Sequence, residues 1–141
     1  MEPVGGEELR TSLSRLALFA DLNRPTLEAI THAYREEVYG SGQRVLRHGL
    51  AGGGLHVILD GEAVVVLDGN EIARLGRGEF FGEISVLNGD APSADVRAES
   101  DLRCFVIPAE ELEPFLLAHP AVTLRMLRAE ASRLRDANRW E

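Results

Sequence analysis

Phe81-Gly82-Glu83-Ile84-Ser85-Val86-Leu87, followed by Ser93-Ala94-Asp95-Val96, concentrates most of the polar chemistry this chain offers in one place. Ser93 stands ten residues after Glu83. A short helix over Glu83–Leu87 would leave its first backbone N–H groups, around Ile84 and Ser85, without intrahelical acceptors. Such groups can face an anion. The Ser93 hydroxyl and the Ser93 and Ala94 N–H groups can add donors from the far side of the turn. Each residue also has a plainer reading. Gly82 can be a turn glycine. Glu83 can be an acid that complements a helix N-terminus.

The elements that must position this segment follow from periodicity. Residues 1–8 read as a flexible tail, and 9–141 as a single domain. Leu9, Leu13, Leu16 and Phe19 fall at helical spacing. Asp21 or Asn23 can cap a second helix, with Pro25 in its first turn and Leu27, Ile30 and Tyr34 on its buried face. Short strands with glycine punctuation come next: 43–48, 55–59, 63–67, 71–75, 94–98 and 102–107. Asp60-Gly61 and Asp68-Gly69 are tight-turn signals. The pattern predicts a mainly β fold, a β-roll or jelly roll over about 38–108, flanked by an N-terminal helical segment and by C-terminal helices over about 109–139. In the last helix, Leu124, Leu127, Ala131 and Leu134 form a short apolar seam. That seam suits packing on the roll and dimerisation equally.

This order of elements resembles the cyclic nucleotide-binding domain, the sensor module of catabolite-activator-like regulators, cyclic-nucleotide-dependent kinases and gated channels. Leu46 to Gly49, then Leu55 to Ala63, look like its first glycine-marked hairpin. The run Gly76-Arg77-Gly78-Glu79-Phe80-Phe81-Gly82-Glu83 looks like its approach to the phosphate-binding cassette. The resemblance implies a ligand site of Gly82, Glu83, Ile84, Ser85, Ser93 and Ala94, with cyclic AMP or cyclic GMP as ligand. Glu83 would accept a hydrogen bond from the ribose hydroxyl, Gly82 would let the backbone approach the sugar, and the N–H groups and Ser93 would hold the phosphate. Where the family usually carries arginine, this chain has Pro92. Losing one partner of a buried charge pair costs about 2–5 kcal/mol, a roughly thirty-fold to few-thousand-fold loss of affinity. Regular alternation would put Asp95 on the face of Ser93 and Arg97. If that face were the pocket, a carboxylate about 6 Å from the phosphate would add ~2–3 kcal/mol of repulsion. Arg97 and Arg47 are the candidate substitute cations, and surface positions are the plainer reading for both.

Other functions fit less well. The formal net charge of −8 opposes nucleic-acid binding. A cupin-like metalloenzyme is a remote alternative. Of four histidines only His48 and His56 lie in the strand region, with no His-x-His pair. Ser85 and Ser93 have no histidine nearby in sequence, so no enzyme and no cofactor are expected. The single cysteine, Cys104, sits in an apolar run and reads as a buried thiol. No stretch has signal-peptide or transmembrane character, and the cytoplasm is the expected location. The leading expectation is a regulatory small-ligand sensor that acts as a homodimer or on a protein partner through the last helix. The alternative is a degenerate module that only dimerises or binds protein. Trp140 could lie over a bound base as a lid or be a frayed terminal residue. Arg125, Arg128, Arg133, Arg135 and Arg139 make the last helix basic, a solvated face or a docking site for an acidic protein.

Overall fold

A computed structural model describes residues 6–46, 53–89 and 94–138. Helix α1 (Gly6–Ser14) places Glu7 and Glu8 in its first turn, where they complement the helix dipole. It begins at Gly6, so residues 6–8, read from sequence as tail, are helical. A 3-10 turn (Ala17–Phe19) leads to α2 (Arg24–Ala33). Asn23 caps α2, its side-chain oxygen accepting from the Thr26 N–H at 2.9 Å, and Pro25 occupies the first turn.

Among the described residues eight antiparallel strands follow: β1 (Arg35–Tyr39), β2 (Arg44–Leu46), β3 (Gly54–Asp60), β4 (Ala63–Leu67), β5 (Asn70–Leu75), β6 (Phe80–Phe81), β7 (Asp95–Ala98) and β8 (Leu102–Pro108). They form two four-stranded sheets, β1-β8-β3-β6 and β2-β7-β4-β5. The short helix α3 (Glu83–Asn88) interrupts the roll between β6 and β7. Helices α4 (Ala109–Ala118) and α5 (Pro120–Asn138) come last among the described residues. This is the β-roll with flanking helices expected from the sequence. Among the described residues no helix is long and apolar enough to cross a membrane.

Two strands escaped the sequence reading. No strand was assigned to Arg35–Tyr39 from the sequence. Tyr34 is extended and ends α2, and β1 pairs with β8 along the edge of the first sheet. Its sequence, Arg-Glu-Glu-Val-Tyr, lacks apolar alternation because an edge strand half-exposed to water does not need it. β6 is two residues long and too short for periodicity to register. Asp68-Gly69 does form a two-residue hairpin turn, with Leu67 facing Asn70 and both turn residues left-handed at φ 53° and 79°. Asp60-Gly61 does something else. β3 pairs with β8 and β6, and β4 with β5 and β7, so this turn carries the chain from one sheet to the other.

The first sheet is buried on both faces. Leu55, Val57, Phe105 and Ile107 point into a core shared with the helices, alongside Leu13, Phe19, Leu112 and Val122. Ile58, Cys104 and Val106 point between the sheets, against Ala63, Val96 and Ala98. That double burial explains why β3 and β8 read as continuous apolar runs. Phe105 is fully buried and meets Phe19 and Tyr34 edge-on at 6.2 and 6.1 Å. Phe105→Ala should therefore cost about 3–5 kcal/mol of unfolding free energy in a denaturant titration. A loss below ~1 kcal/mol would show that this ring cluster does not hold the helices to the sheet.

Candidate functional site

The segment singled out in the sequence becomes one wall of a cavity. The turn before α3 depends on Gly82, whose φ is +92°. A Cβ added there would lie 2.1 Å from the Gly54 carbonyl oxygen of β3. The glycine is thus required by the neighbouring strand as well as by its left-handed backbone. Clearance for a sugar, the reason given by the sequence reading, is secondary. The same Gly54 oxygen accepts a hydrogen bond from His56 Nδ1 at 3.1 Å, which fixes that proton. His56 Nε2 then accepts from the Tyr39 hydroxyl, also at 3.1 Å. The His56 ring stacks on Phe81 at 4.9 Å and 14°. Burial holds His56 below its ordinary pKa, so it is a neutral structural prop behind the cassette. Among the described residues no three His, Cys, Asp or Glu side chains cluster as metal ligands.

A cavity of about 520 Å³ opens between this turn and the inner face of the second sheet. Gly82, Glu83, Ile84, Ser85 and Ala94 all line it. Leu46, Val65, Leu75, Phe81 and Val96 make the rest of its wall largely apolar. Ser85 Oγ donates to the Gly82 carbonyl at 3.3 Å, within the turn. The first-turn N–H groups of α3 lie beside the cavity with no side-chain cap on the helix.

Glu83 is only 3% exposed. Its Oε2 is buried and has no hydrogen-bond partner, while Oε1 lies 3.6 Å from Arg133 Nη1. Burial, reinforced by the nearby Glu130 carboxylate and opposed by Arg133, pushes the Glu83 carboxyl up to about 7. A buried acceptor with nothing donating to it is costly, and its residue lines a cavity of ligand size.

Arg133 was not singled out for this site by the sequence reading. Its guanidinium lines the cavity, donates from Nη2 to the Phe80 carbonyl at 2.7 Å, bonds Glu130 through Nη1 at 2.8 Å, and lies 4.4 Å over the Phe80 ring. It is the only basic side chain on the cavity wall among the described residues. A signal existed. Val122, Met126 and Ala129 form the inward stripe of α5, and Arg133 extends it by one turn. The seam read from sequence is the opposite stripe, with Leu124, Leu127 and Leu134 exposed at 46%, 64% and 64%.

Arg97 is placed elsewhere. β7 turns Val96 and Ala98 inward, leaving Arg97 exposed and 3.7 Å from Glu99 on the outer face. Asp95 shares that outward parity, so the expected carboxylate–phosphate repulsion loses its geometry. Arg47, Pro92, Ser93 and Trp140 lie outside the described residues.

Known proteins agree with this architecture. The family model for the cyclic nucleotide-binding domain matches residues 36–119. The chain belongs to the cyclic nucleotide-binding domain family. It is 32% identical over 124 residues to a cGMP-dependent protein kinase of Toxoplasma gondii, covering 88% of this chain and 12% of the kinase. The chain spans between 12% and 23% of the curated relatives it matches. Among solved structures, cAMP-bound PfPKA-R superposes with a TM-score of 0.77 at 17% identity, covering 94% of this chain and 46% of that one. A second is a triple mutant of the regulatory subunit of a cAMP-independent protein kinase A from Trypanosoma brucei, bound to cAMP. Its TM-score is 0.74 at 25% identity, with 88% of this chain and 46% of that one covered.

The ionisation of Glu83 makes a testable signature. Its pKa is raised from the ordinary 4.5 to about 7, so the folded state holds this proton more tightly than the unfolded chain. Glu83 therefore costs nothing below about pH 4.5 and costs progressively more stability as the pH rises through 7. Glu83→Gln should stabilise the protein by about 2–3 kcal/mol at pH 8 and by little at pH 4.5. His56 titrates with the opposite sign in both proteins and cancels from the comparison. Thermal melts across pH would measure this, and a difference independent of pH would contradict the assignment.

Proposed function

We propose that this domain is a regulatory ligand sensor rather than an enzyme, and that its cavity takes the sugar and base of a nucleotide ligand against Glu83 and the α3 turn. Glu83, which lines the cavity and keeps one buried carboxyl oxygen without a partner, carries this reading. A ribose hydroxyl would donate to it. The apolar wall would cover the base, and the Ile84, Ser85 and Ala94 backbone would face the phosphate with Ser93. Cyclic AMP and cyclic GMP are the first ligands to consider, supported by the family and by the cGMP-dependent kinase relative. Pro92 leaves the cassette without its arginine, so a site that would otherwise be micromolar would weaken to between tens of micromolar and millimolar. The T. brucei mutant of a cAMP-independent subunit, one of whose three changes replaces threonine by arginine, is bound to cAMP.

Output would run through α5. Arg133 joins α5 to the cavity wall, so a ligand that binds one setting of this contact better than another would shift the helix. The exposed Leu124, Leu127 and Leu134 row favours pairing of two copies through α5 or docking on another protein. The net charge of −8 argues against a nucleic-acid partner, and a cytoplasmic location suits this role.

Calorimetric titration tests the ligand. Heat should appear with cyclic AMP or cyclic GMP below a few millimolar, and silence at that concentration would remove the cyclic-nucleotide version. Pro92→Arg should tighten binding at least thirty-fold. Light scattering tests the helix. The wild type should be dimeric and a Leu127→Glu, Leu134→Glu double variant monomeric, whereas a monomeric wild type would reject self-association.

A further inference from the structure

A second cleft, of about 220 Å³, shares no lining residue with the cavity. Ser12 of α1, Arg15 just beyond that helix, Glu36 of β1, Asp60 of β3, Arg77 of the turn between β5 and β6, and Arg103 of β8 line it. Gly54, which seats the cassette turn, and Asp60 stand at opposite ends of β3, about 20 Å apart at 3.3 Å per residue. Three arginines from three distant stretches of chain thus converge on one hollow, in a protein whose formal net charge is −8.

The charges there are unequally placed. Arg103 and Glu36 are the sheltered pair, 3.4 Å apart with side chains 20% and 3% exposed. Asp60 spends one carboxylate oxygen on the Gly61 N–H at 3.0 Å. Arg15 and Arg77 are exposed, and their side chains make no ion pair or hydrogen bond among the described residues. Two guanidiniums therefore stand at the cleft with one carboxylate, Asp60, against them. Both spring from fixed backbone. The turn that carries Arg77 is tied to β3, the Gly78 N–H donating to the Ile58 carbonyl at 2.8 Å and the Ile58 N–H to the Glu79 carbonyl at 2.9 Å. Arg15 lies between Leu13 and Leu16, both buried in the helical core.

We propose that this cleft is a second ligand site, which takes a small dianionic oxyanion of the phosphate class between Arg15 and Arg77. Its volume is below the roughly 300–1,000 Å³ of pockets that enclose a drug-sized ligand, so it has room for a phosphate and its water but not for a nucleotide. Guanidinium forks match pairs of phosphate oxygens, and a dianion answers both exposed arginines where a carboxylate answers one. The bound anion joins the end of α1 to the turn that leads into β6 and the cassette, and so stabilises the folded state. The site stands independently of what the cavity binds.

An amide-resolved NMR titration of the full chain with inorganic phosphate at about pH 7.5, at an ionic strength held by sodium chloride, tests this. The Ser12, Arg77 and Arg103 signals should move together and saturate. At about ten times the Kd, phosphate should raise the melting temperature by roughly 3–6 °C over the chloride control. An Arg15→Gln, Arg77→Gln double variant changes only exposed side chains and should bind phosphate roughly tenfold or more weakly. An Arg44→Gln, Arg128→Gln variant loses the same charge elsewhere on the surface and should bind within about twofold of wild type. Acetate should bind at least about fivefold more weakly than phosphate, and equal binding would reject the phosphate class. Shifts confined to the Glu83–Asn88 segment would place phosphate at the cassette and overturn the proposal. Absence of saturation, or an equal loss in both double variants, would show only diffuse charge attraction and would overturn it too.

Discussion

Close contact of backbone with backbone at Gly54 and Gly82 is the constraint from which the site follows. A Cβ on Gly82 would meet the Gly54 carbonyl at 2.1 Å, and a Cβ on Gly54 would meet the Ile107 carbonyl at 2.3 Å. Three pieces of main chain, from β8, β3 and the turn before α3, are therefore stacked with no side chain between them. The roll has no room to let this turn drift outward. Once it is seated, Glu83 has nowhere to go but inward, and its burial to 3% exposure is a result of backbone geometry. His56 strengthens the same point by bonding the Gly54 oxygen and stacking on Phe81.

Burying Glu83 creates the conflict that gives the site its character. A carboxyl with one oxygen unpartnered and a second carboxylate nearby favours its protonated form, and Arg133 opposes this only in part. Folding free energy spent on such a group is commonly recovered when something binds it. The arrangement also links two parts of the chain that lie far apart in sequence. Residue 83 belongs to the roll and residue 133 to the last helix, and a single guanidinium bridges them.

The fold was largely legible because its signals are local. The Asp68-Gly69 turn, the Asn23 cap and the apolar runs of β3 and β8 each report their own conformation. β1 was not legible, since an edge strand of charged residues carries no alternation, and β6 is too short to have any. Within the site, Gly82, Glu83, Ile84, Ser85 and Ala94 were found from a motif and do line the cavity. Arg133 was overlooked because it arrives from fifty residues downstream, on a helix whose exposed leucines drew attention to the wrong stripe. Arg97 was left open between the pocket and the surface because the parity of β7 is set by which of its side chains the core accepts, Val96 and Ala98, and the sequence alone permits either register.

The length of α5 has a mechanical meaning. Val122 and Met126 are buried in the helical core, whereas Arg133 is half-buried and reaches the roll through polar contacts. The helix is therefore held firmly near one end and lightly toward the other. From Met126 to Asn138 is about 18 Å at 1.5 Å per residue. A tilt of about 10° around the buried end would carry the tip roughly 3 Å, comparable to the length of one hydrogen bond. A displacement of that size would be enough to open the 2.7 Å hydrogen bond from Arg133 to the Phe80 carbonyl.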